Sequence, residues 1–332
     1  MSGLQGQKET ASRRSAMLRT AFSGVIRDAI DANNVIEILA NPDGSIWIER
    51  TGIGVVCETE KLNAEARERI IRLVASAVNE PCDRNNPILS AELPETGERF
   101  EGLLPPVSLA PCFAIRKPAS TPFTLDDYVS QGALAEPIAQ LLRDHLEKRS
   151  NILVAGGTSS GKTTFTNALL AEPGLADDRI VILEDTRELR CAASNAVSLR
   201  THRGSASLTD LVRSTMRLRP DRIVVGEVRG PEALDLLKAW NTGHPGGVTT
   251  LHANSARAAL ERLEQLAAEA SQMVPRTLIA EAVNLVIYMS RRNGVRQIEE
   301  AFLCTGLDMD HEYQLTPLTS ANLTLVQKGE TT

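Results

Sequence analysis

One stretch of eight residues constrains the fold more than any other feature of this chain. Residues 156–163 have the sequence Gly-Gly-Thr-Ser-Ser-Gly-Lys-Thr, which matches the phosphate-loop pattern G-x-x-x-x-G-K-S/T at every defined position. The apolar run 152–155 precedes it, and a helical pattern begins at Lys162. Because the motif requires a strand before it and a helix after it, the sequence predicts an α/β nucleotide-binding domain.

The motif also predicts which atoms hold a nucleotide. Its glycines let successive backbone N–H groups face phosphate oxygens, and the helix that follows presents the positive end of its dipole. Lys162 is expected to reach the β- and γ-phosphates, and the hydroxyl of Thr163 is expected to ligate Mg²⁺. The predicted ATP-binding residues are Gly156, Gly157, Thr158, Ser159, Ser160, Gly161, Lys162, Thr163 and Thr164.

Two buried strands are predicted to end in carboxylates, which a phosphate-loop site requires for holding Mg²⁺ and orienting the attacking water. One strand is followed by Glu184 and Asp185, and the other by Gly226 and Glu227. In an open parallel sheet both ends lie at the carboxyl edge, beside the phosphates. We assign Glu227 to water polarisation and either Glu184 or Asp185 to the metal shell, directly or through water. The competing interpretation is that each carboxylate pairs with a neighbouring arginine.

Two histidines flank an apolar strand that follows these segments. His244 and His252 lie on either side of the run 248–251. An imidazole at the end of such a strand would donate a hydrogen bond to a γ-phosphate, although an isolated histidine is more often structural. The surrounding motifs favour the functional role for His252 more than for His244.

Two arginines in the first part of the chain are candidates for stabilising the charge of a γ-phosphate. Arg99 follows a Thr-Gly-Glu turn, and Arg116 ends a predicted strand just before a proline-containing segment. A small domain that folds over the nucleotide would bring such side chains to the phosphate. From the residues alone, surface or ion-paired arginines are the simpler interpretation.

The pattern of apolar runs divides the chain into parts. The first part is predicted to contain a helix at 16–32, a hairpin at 35–39 and 45–49, a helix at 60–79 and short strands within 88–117. Later in the chain, continuous apolar strands alternate with helices, which predicts a mostly parallel sheet covered on both faces. The predicted organisation is a disordered N-terminus (1–15), a small α+β domain (16–118), a linker region (119–134) and an ATPase domain (135–332).

Charge, aromatic content and cysteine pattern disfavour several classes of protein. The 332 residues carry a formal net charge of −6 and only 3% aromatic residues. Direct nucleic-acid binding is therefore not expected, because it requires clustered cationic surface and stacking aromatics. The five cysteines form no C-x-x-C pair, and neither a signal peptide nor a membrane span is predicted, so a cytoplasmic location is expected. Arg13, Arg14 and Arg19 leave peripheral contact with acidic lipid as an alternative to a solvated face.

Four segments, in this order and spacing, resemble the secretion ATPase superfamily. They are GGTSSGKTT, ILEDTREL, LRPDRIVVGEVRGPEA and GHPGGVTTLHAN. Within that superfamily they are most similar to the conjugal-transfer branch of type IV secretion traffic ATPases, the TrbB type. The resemblance covers about residues 16–300. It puts Glu184 and Asp185 in an aspartate box, Glu227 at the end of a degenerate Walker B box and His252 in a histidine box.

The resemblance implies a fold, an assembly and a location. It implies a RecA-like ATPase domain preceded by a smaller α+β domain, a homohexameric ring, and ATP held between the two domains. It favours Arg99 and Arg116 as γ-phosphate ligands, since their surroundings resemble the family's amino-terminal arginine segments. It also implies work at the cytoplasmic face of the inner membrane with components of the secretion or conjugation machinery. The motifs are shared with pilus and type II secretion motors, and the lack of a four-cysteine module favours the type IV branch.

These observations lead to one functional prediction and several alternatives. The prediction is a Mg²⁺-dependent ATPase that powers type IV secretion and conjugative transfer, with catalytic residues Lys162, Glu184, Glu227, His252, Arg99 and Arg116. The alternatives are a pilus or type II secretion motor, a RecA-like nucleic-acid motor, a small-molecule kinase, and a nucleotide-gated scaffold that hydrolyses ATP slowly. No lid signature supports the kinase, and the low aromatic content disfavours the nucleic-acid motor.

Overall fold

Two hydrogen-bonded sheets organise the chain, one in each of its two structural units. In the computed structural model, the units are Met1–Ser120 and Thr121–Thr332. The structure describes residues 16–94, 96–118, 123–202, 204–271, 273–292 and 295–318. The predicted disordered N-terminus at 1–15, with Arg13 and Arg14, lies outside the described residues, as does the start of the predicted linker at 119–122.

The first unit combines helices with a six-stranded antiparallel sheet. Its elements are a helical segment at 16–21 (α1), α2 (Gly24–Asp31), β1 (Val35–Ala40), β2 (Ser45–Arg50), β3 (Gly54–Lys61), α3 (Ala64–Val78), β4 (Ile88–Glu92), β5 (Arg99–Leu103) and β6 (Cys112–Arg116). The strand order is β3-β2-β1-β6-β5-β4, and all neighbours run antiparallel. Buried side chains of α2, α3 and the strands, such as Ile26, Ile70 and Phe100, form the core of this unit.

The predicted helix at 16–32 is interrupted, which corrects the sequence analysis. The helical segment α1 ends at residue 21, and Ser23 is extended, with its side chain accepting a hydrogen bond from the N–H of Ile26. A serine in this position caps the start of a new helix. The four-residue spacing of the buried Leu18, Phe22 and Ile26 continues through the break. For that reason periodicity alone predicted one helix.

The second unit contains a mostly parallel eight-stranded sheet. Its elements are α4 (Leu125–Ser130), α5 (Glu136–Glu147), β7 (Ile152–Gly156), α6 (Lys162–Leu170), a 3₁₀ turn (Pro173–Leu175), β8 (Arg179–Glu184), β9 (Asn195–Arg200), α7 (Leu208–Thr215), β10 (Arg222–Val225), α8 (Glu232–Asn241), β11 (Val248–Leu251), α9 (Ala256–Ala268), α10 (Arg276–Ala282), β12 (Leu285–Arg292), β13 (Val295–Leu307) and β14 (Tyr313–Pro317). The strand order is β14-β13-β12-β7-β11-β10-β8-β9. The strands from β12 to β9 are parallel, whereas β13 and β14 are antiparallel additions at one edge.

Helices bury both faces of this second sheet. In β7, Leu153 and Ala155 belong to a core shared with α7, α8, α9 and α10. Ile152 and Val154 belong to a separate core with α4, α5 and α6. A strand covered on both sides has no polar face, which accounts for the continuous apolar runs in the sequence. The predicted α/β class, with a smaller α+β unit before it, is confirmed.

Part of the segment predicted as a linker is folded into the second unit. Helix α4 lies within 119–134 and starts with a capping box formed by Thr124 and Asp127. Its residue Tyr128 is buried and packs edge-on against Phe165 of α6, with ring centroids 5.3 Å apart. The prolines that indicated a linker precede this helix. Among the described residues, no helix is both long enough and apolar enough to cross a membrane.

Candidate functional site

Four adjacent parallel strands end at the motifs found in the sequence. In the sheet, β7, β11, β10 and β8 are consecutive neighbours that run in the same direction. The phosphate loop follows β7, His252 follows β11, Glu227 comes shortly after β10, and Glu184 ends β8. Residues as far apart in sequence as Lys162 and His252, separated by 90 positions, therefore meet at one edge of the sheet.

The phosphate loop has the backbone geometry that its glycines predict. Ser159 and Gly161 have positive φ angles of 60° and 99°, and Gly161 immediately precedes the first residue of α6. Gly156 is restricted by space, because a Cβ there would lie 2.4 Å from the carbonyl oxygen of Met289 and 2.5 Å from Oγ of Ser160. The conformation at Gly161 and the close packing at Gly156 both require the absence of a side chain.

The polar groups of the loop fit a phosphate chain. The N-terminus of α6 receives no side-chain cap, so its first N–H groups are suited to an anion. Oγ of Ser160 is buried and has no hydrogen-bond partner in the part of the chain that the structure describes. Thr158 is exposed, and Thr163 and Thr164 are half-buried in the first turn of α6.

Lys162 is buried at the start of α6 and points back into the loop. Its Nζ donates to the carbonyl oxygens of Gly156 at 2.9 Å and of Gly157 at 3.1 Å. The ammonium group therefore lies beside the loop, where the predicted contact with β- and γ-phosphates requires it.

A row of polar contacts leads from Lys162 to the neighbouring strand ends. Nζ of Lys162 lies 3.5 Å from Nδ1 of His252, and Nε2 of His252 lies 2.8 Å from Oε1 of Glu227. The other carboxylate oxygen of Glu227, Oε2, accepts a hydrogen bond from Nε of Arg229 at 2.8 Å and is also contacted by Nη2. Glu227 is thus hydrogen-bonded through Oε2 to Arg229, whereas Oε1 is buried beside His252 and accepts no hydrogen bond from the described residues.

The surroundings of His252 lower the pKa of its imidazole. Burial has the largest effect, and the charges of Lys162 and Arg229 act in the same direction, while Glu227 opposes them. The neutral form is therefore favoured. The neutral ring lies with Nε2 beside Oε1 of Glu227 and with Nδ1 facing the ammonium of Lys162.

Glu184 is a buried carboxylate that holds the loop after β8. Its Oε1 accepts hydrogen bonds from the backbone N–H groups of Glu188 and Leu189, both at 2.9 Å. Its side chain also packs against Gly226, where an added Cβ would lie 3.0 Å from Cγ of Glu184. The glycine in front of Glu227 therefore makes room for the side chain of Glu184.

Asp185 differs from Glu184 because it is half exposed. Its Oδ1 accepts a hydrogen bond from the hydroxyl of Thr201 at 2.9 Å, and Oδ2 lies 4.0 Å from Nη1 of Arg229. Among the described residues, no group of three or more His, Cys, Asp or Glu side chains forms a metal site by itself. Mg²⁺ is commonly held by one or two carboxylates together with substrate phosphates. The assignment of Thr163, Glu184 and Asp185 to the Mg²⁺ shell stays a prediction.

Arg99 and Arg116 are neighbours in the sheet of the first unit. Strands β5 and β6 pair antiparallel with Arg99 directly opposite Arg116. Cross-strand partners project from the same face of a sheet. Arg116 is exposed and Arg99 is half-buried. The two arginines predicted as γ-phosphate ligands are therefore neighbours across one strand pair.

Two further residues change the interpretation of the site. Nδ1 of His244 lies 3.0 Å from the carbonyl oxygen of Pro220, which favours the structural role over the functional one. Arg229 was not among the residues predicted from the sequence. The available signal was an arginine only two residues from the carboxylate of Glu227, close enough in sequence for an ion pair.

Comparison with known protein families agrees with this geometry. The family model described as "Type II/IV secretion system protein" matches residues 23–302. The chain belongs to this family. The conjugal transfer protein TrbB of Rhizobium radiobacter is 51% identical over 285 residues, which cover 85% of this chain and 88% of that protein. The type IV secretion system protein VirB11 of Bartonella henselae is 31% identical over 316 residues, covering 81% and 88%.

Solved structures support the fold of this secretion-family chain. The pilus retraction motor PilT with bound ADP has a TM-score of 0.62 and 19% identity, with 94% of this chain and 86% of that chain covered. The Legionella pneumophila ATPase DotB has a TM-score of 0.60 and 19% identity, with 93% and 88% covered. The predicted fold class is confirmed, and so is the prediction of a type IV secretion and conjugation traffic ATPase.

Proposed function

We propose that the chain hydrolyses ATP to ADP and phosphate with the help of Mg²⁺, and that this reaction powers type IV secretion and conjugative transfer. The observation that carries the proposal is the row of contacts from Lys162 through His252 to Glu227, beside the phosphate loop. These residues supply a phosphate-binding cation, a neutral imidazole and a carboxylate base at the edge of one sheet. Membership of the secretion family supports the same activity.

Each residue in this row has a proposed part in the hydrolysis. Backbone N–H groups of residues 157–164 and the ammonium of Lys162 hold the phosphates. Glu227 accepts a proton from the attacking water, whose oxygen forms a bond to the γ-phosphorus. The bond from the γ-phosphorus to the β–γ bridging oxygen breaks, and ADP leaves with that electron pair.

The acidic end of β8 is proposed to complete a magnesium site with Thr163. Bound Mg²⁺ would neutralise charge on the β- and γ-phosphate oxygens. Glu184, with Oε1 on two backbone N–H groups, supplies a carboxyl group fixed in position. Asp185 is half exposed and supplies the more accessible carboxylate, directly or through water.

The remaining predicted residues and the assembly are proposed from the family resemblance. His252 would report the presence of the γ-phosphate through its contact with Glu227, and Arg99 and Arg116 would stabilise the phosphate charge. The chain is proposed to act as a homohexameric ring at the cytoplasmic face of the inner membrane. Relatives named as type IV secretion system components support partners in that machinery.

Substitution of Lys162 tests the proposed activity. Lys162→Ala is expected to abolish ATP turnover, because the phosphates lose their principal cation. The matched control is Lys238→Ala, which removes an exposed lysine of α8 in the same unit and is expected to keep wild-type turnover. Both variants should unfold within a few degrees of the wild type in thermal melts. ATPase activity that persists in Lys162→Ala would refute the assignment.

A further inference from the structure

Arg229 lies on a segment whose backbone is tied to the neighbouring strand. The N–H of Val228 donates to the carbonyl oxygen of Thr250 at 2.9 Å, and the hydroxyl of Thr250 donates to the carbonyl oxygen of Gly226 at 2.8 Å. Val228 is buried. The side chains on either side of it, Glu227 and Arg229, contact each other through Nε of Arg229 and Oε2 of Glu227.

The backbone of Arg229 is also held by Glu232, the first residue of α8. Oε1 of Glu232 accepts hydrogen bonds from the N–H groups of Arg229, at 2.7 Å, and of Gly230, at 2.9 Å. Glu232 is itself buried. Contacts with β11 and with α8 therefore fix the position from which the arginine reaches Glu227.

The guanidinium group lies between two acidic strand ends. It donates through Nε to Oε2 of Glu227, and Nη1 lies 4.0 Å from Oδ2 of Asp185. Burial acts to lower the pKa of Arg229, but the hydrogen bond to Glu227 and the charges of Glu227, Asp185 and Glu188 raise it overall. The cation is thus stable here and reduces repulsion between carboxylates that end adjacent strands.

We propose that Arg229 is a positioning residue for Glu227: its planar guanidinium holds Oε2, so that Oε1, buried beside His252, takes the proton of the attacking water. The inference rests on the proposed function, in which Glu227 is the base. A carboxylate at the end of a flexible side chain can rotate, and Nε and Nη2 of Arg229 both hold one of its oxygens, Oε2. Orientation of a base in this way contributes to the rate and not to substrate binding.

Steady-state kinetics of Arg229→Ala and Arg229→Lys test the proposal. Arg229→Ala is expected to lower kcat by about 10- to 100-fold, within the range that a general base contributes, while KM for ATP changes less than about twofold. Arg229→Lys keeps the charge but lacks the planar fork, so it should recover part of the lost kcat. Binding of a fluorescent ATP analogue should be unchanged in both variants.

The control is Arg213→Ala, which removes an exposed arginine of α7 paired with Asp235 and should leave kcat at the wild-type value. A kcat for Arg229→Ala within about twofold of wild type would overturn the proposal. A raised KM with unchanged kcat would also overturn it and make Arg229 a substrate ligand. If Arg229→Ala and Arg229→Lys lose kcat to the same extent, and both also melt at a lower temperature than the wild type, the proposal would be overturned in favour of a structural role.

A double-mutant cycle with Glu227 separates action through the base from independent action. If Arg229 works only by orienting Glu227, adding Arg229→Ala to Glu227→Gln costs no further activity in single-turnover assays. An additional loss equal to that of the single variant would contradict this. Failure of the proposed function has a different signature, since Lys162→Ala would then retain activity whatever the outcome at Arg229.

Discussion

At the scale of single residues, Gly226 shows how the two acidic strand ends fit together. An added Cβ would lie 3.0 Å from Cγ of Glu184 and 3.4 Å from its Oε1, the oxygen that holds the N–H groups of Glu188 and Leu189. Gly226→Ala is therefore expected to destabilise the protein by about 1–3 kcal/mol through overpacking, and to lower ATP turnover by displacing Glu184. The control is Gly24→Ala at the start of α2, where nothing lies within 4 Å of the new Cβ; denaturant unfolding that finds no difference between the two variants would contradict the packing argument.

Protonation of His252 is expected to make the stability of the folded protein depend on pH. Burial, together with Lys162 and Arg229, lowers the pKa of the folded protein's imidazole below its ordinary value of 6.5. Just below pH 6.5 the unfolded chain therefore binds a proton at this residue that the folded protein does not, so stability falls as the pH falls through that window. Thermal melts between pH 7.5 and 5 should show a shallower decline for His252→Gln than for the wild type, with Lys238→Ala retaining the wild-type slope. Parallel curves for His252→Gln and the wild type would show that this imidazole is not perturbed.

At the scale of elements, local motifs were predictable and the pairing of strands was not. The strand-loop-helix unit around 156–163 follows from the motif itself, because glycine positions and the helix start are encoded within eight residues. The sequence also indicated that the carboxylates end parallel strands. It did not contain the order β7-β11-β10-β8, which depends on packing between distant segments. Contacts such as that between Nε2 of His252 and Oε1 of Glu227 emerge only from that order.

Several helices and strands were not predicted from the sequence, each for a specific physical reason. The break between α1 and α2 depends on one cap, at Ser23, within an unbroken apolar period. Helix α4 was not predicted because the prolines before it indicated a linker. Its capping residues Thr124 and Asp127 form a capping box, which is a sequence pattern typical of a helix start. Strands β13 and β14 extend the sheet through antiparallel pairing. Their burial is partial and irregular along the chain, so neither helical nor strand periodicity is distinct there.

At the scale of the whole molecule, the decisive property is whether copies of the chain act together. The row from Lys162 to Arg229 lies within one structural unit, so a single chain contains the proposed base, sensor and phosphate-binding cation. A chain with only these parts could act as an independent switch. A traffic ATPase that works as a ring requires in addition that hydrolysis in one subunit depends on the state of its neighbours.

Mixing wild-type chains with Lys162→Ala chains measures that dependence. Subunits that act independently lose turnover in proportion to the inactive fraction, so an equal mixture retains half of the activity. If one inactive subunit stops a ring of six, an equal mixture retains only about 2%. We expect a curve much steeper than proportional, and mixtures with Lys238→Ala should show no decline. A strictly proportional loss, measured after the subunits have been allowed to exchange, would mean that the sites work alone and would exclude a coupled ring as the source of motion.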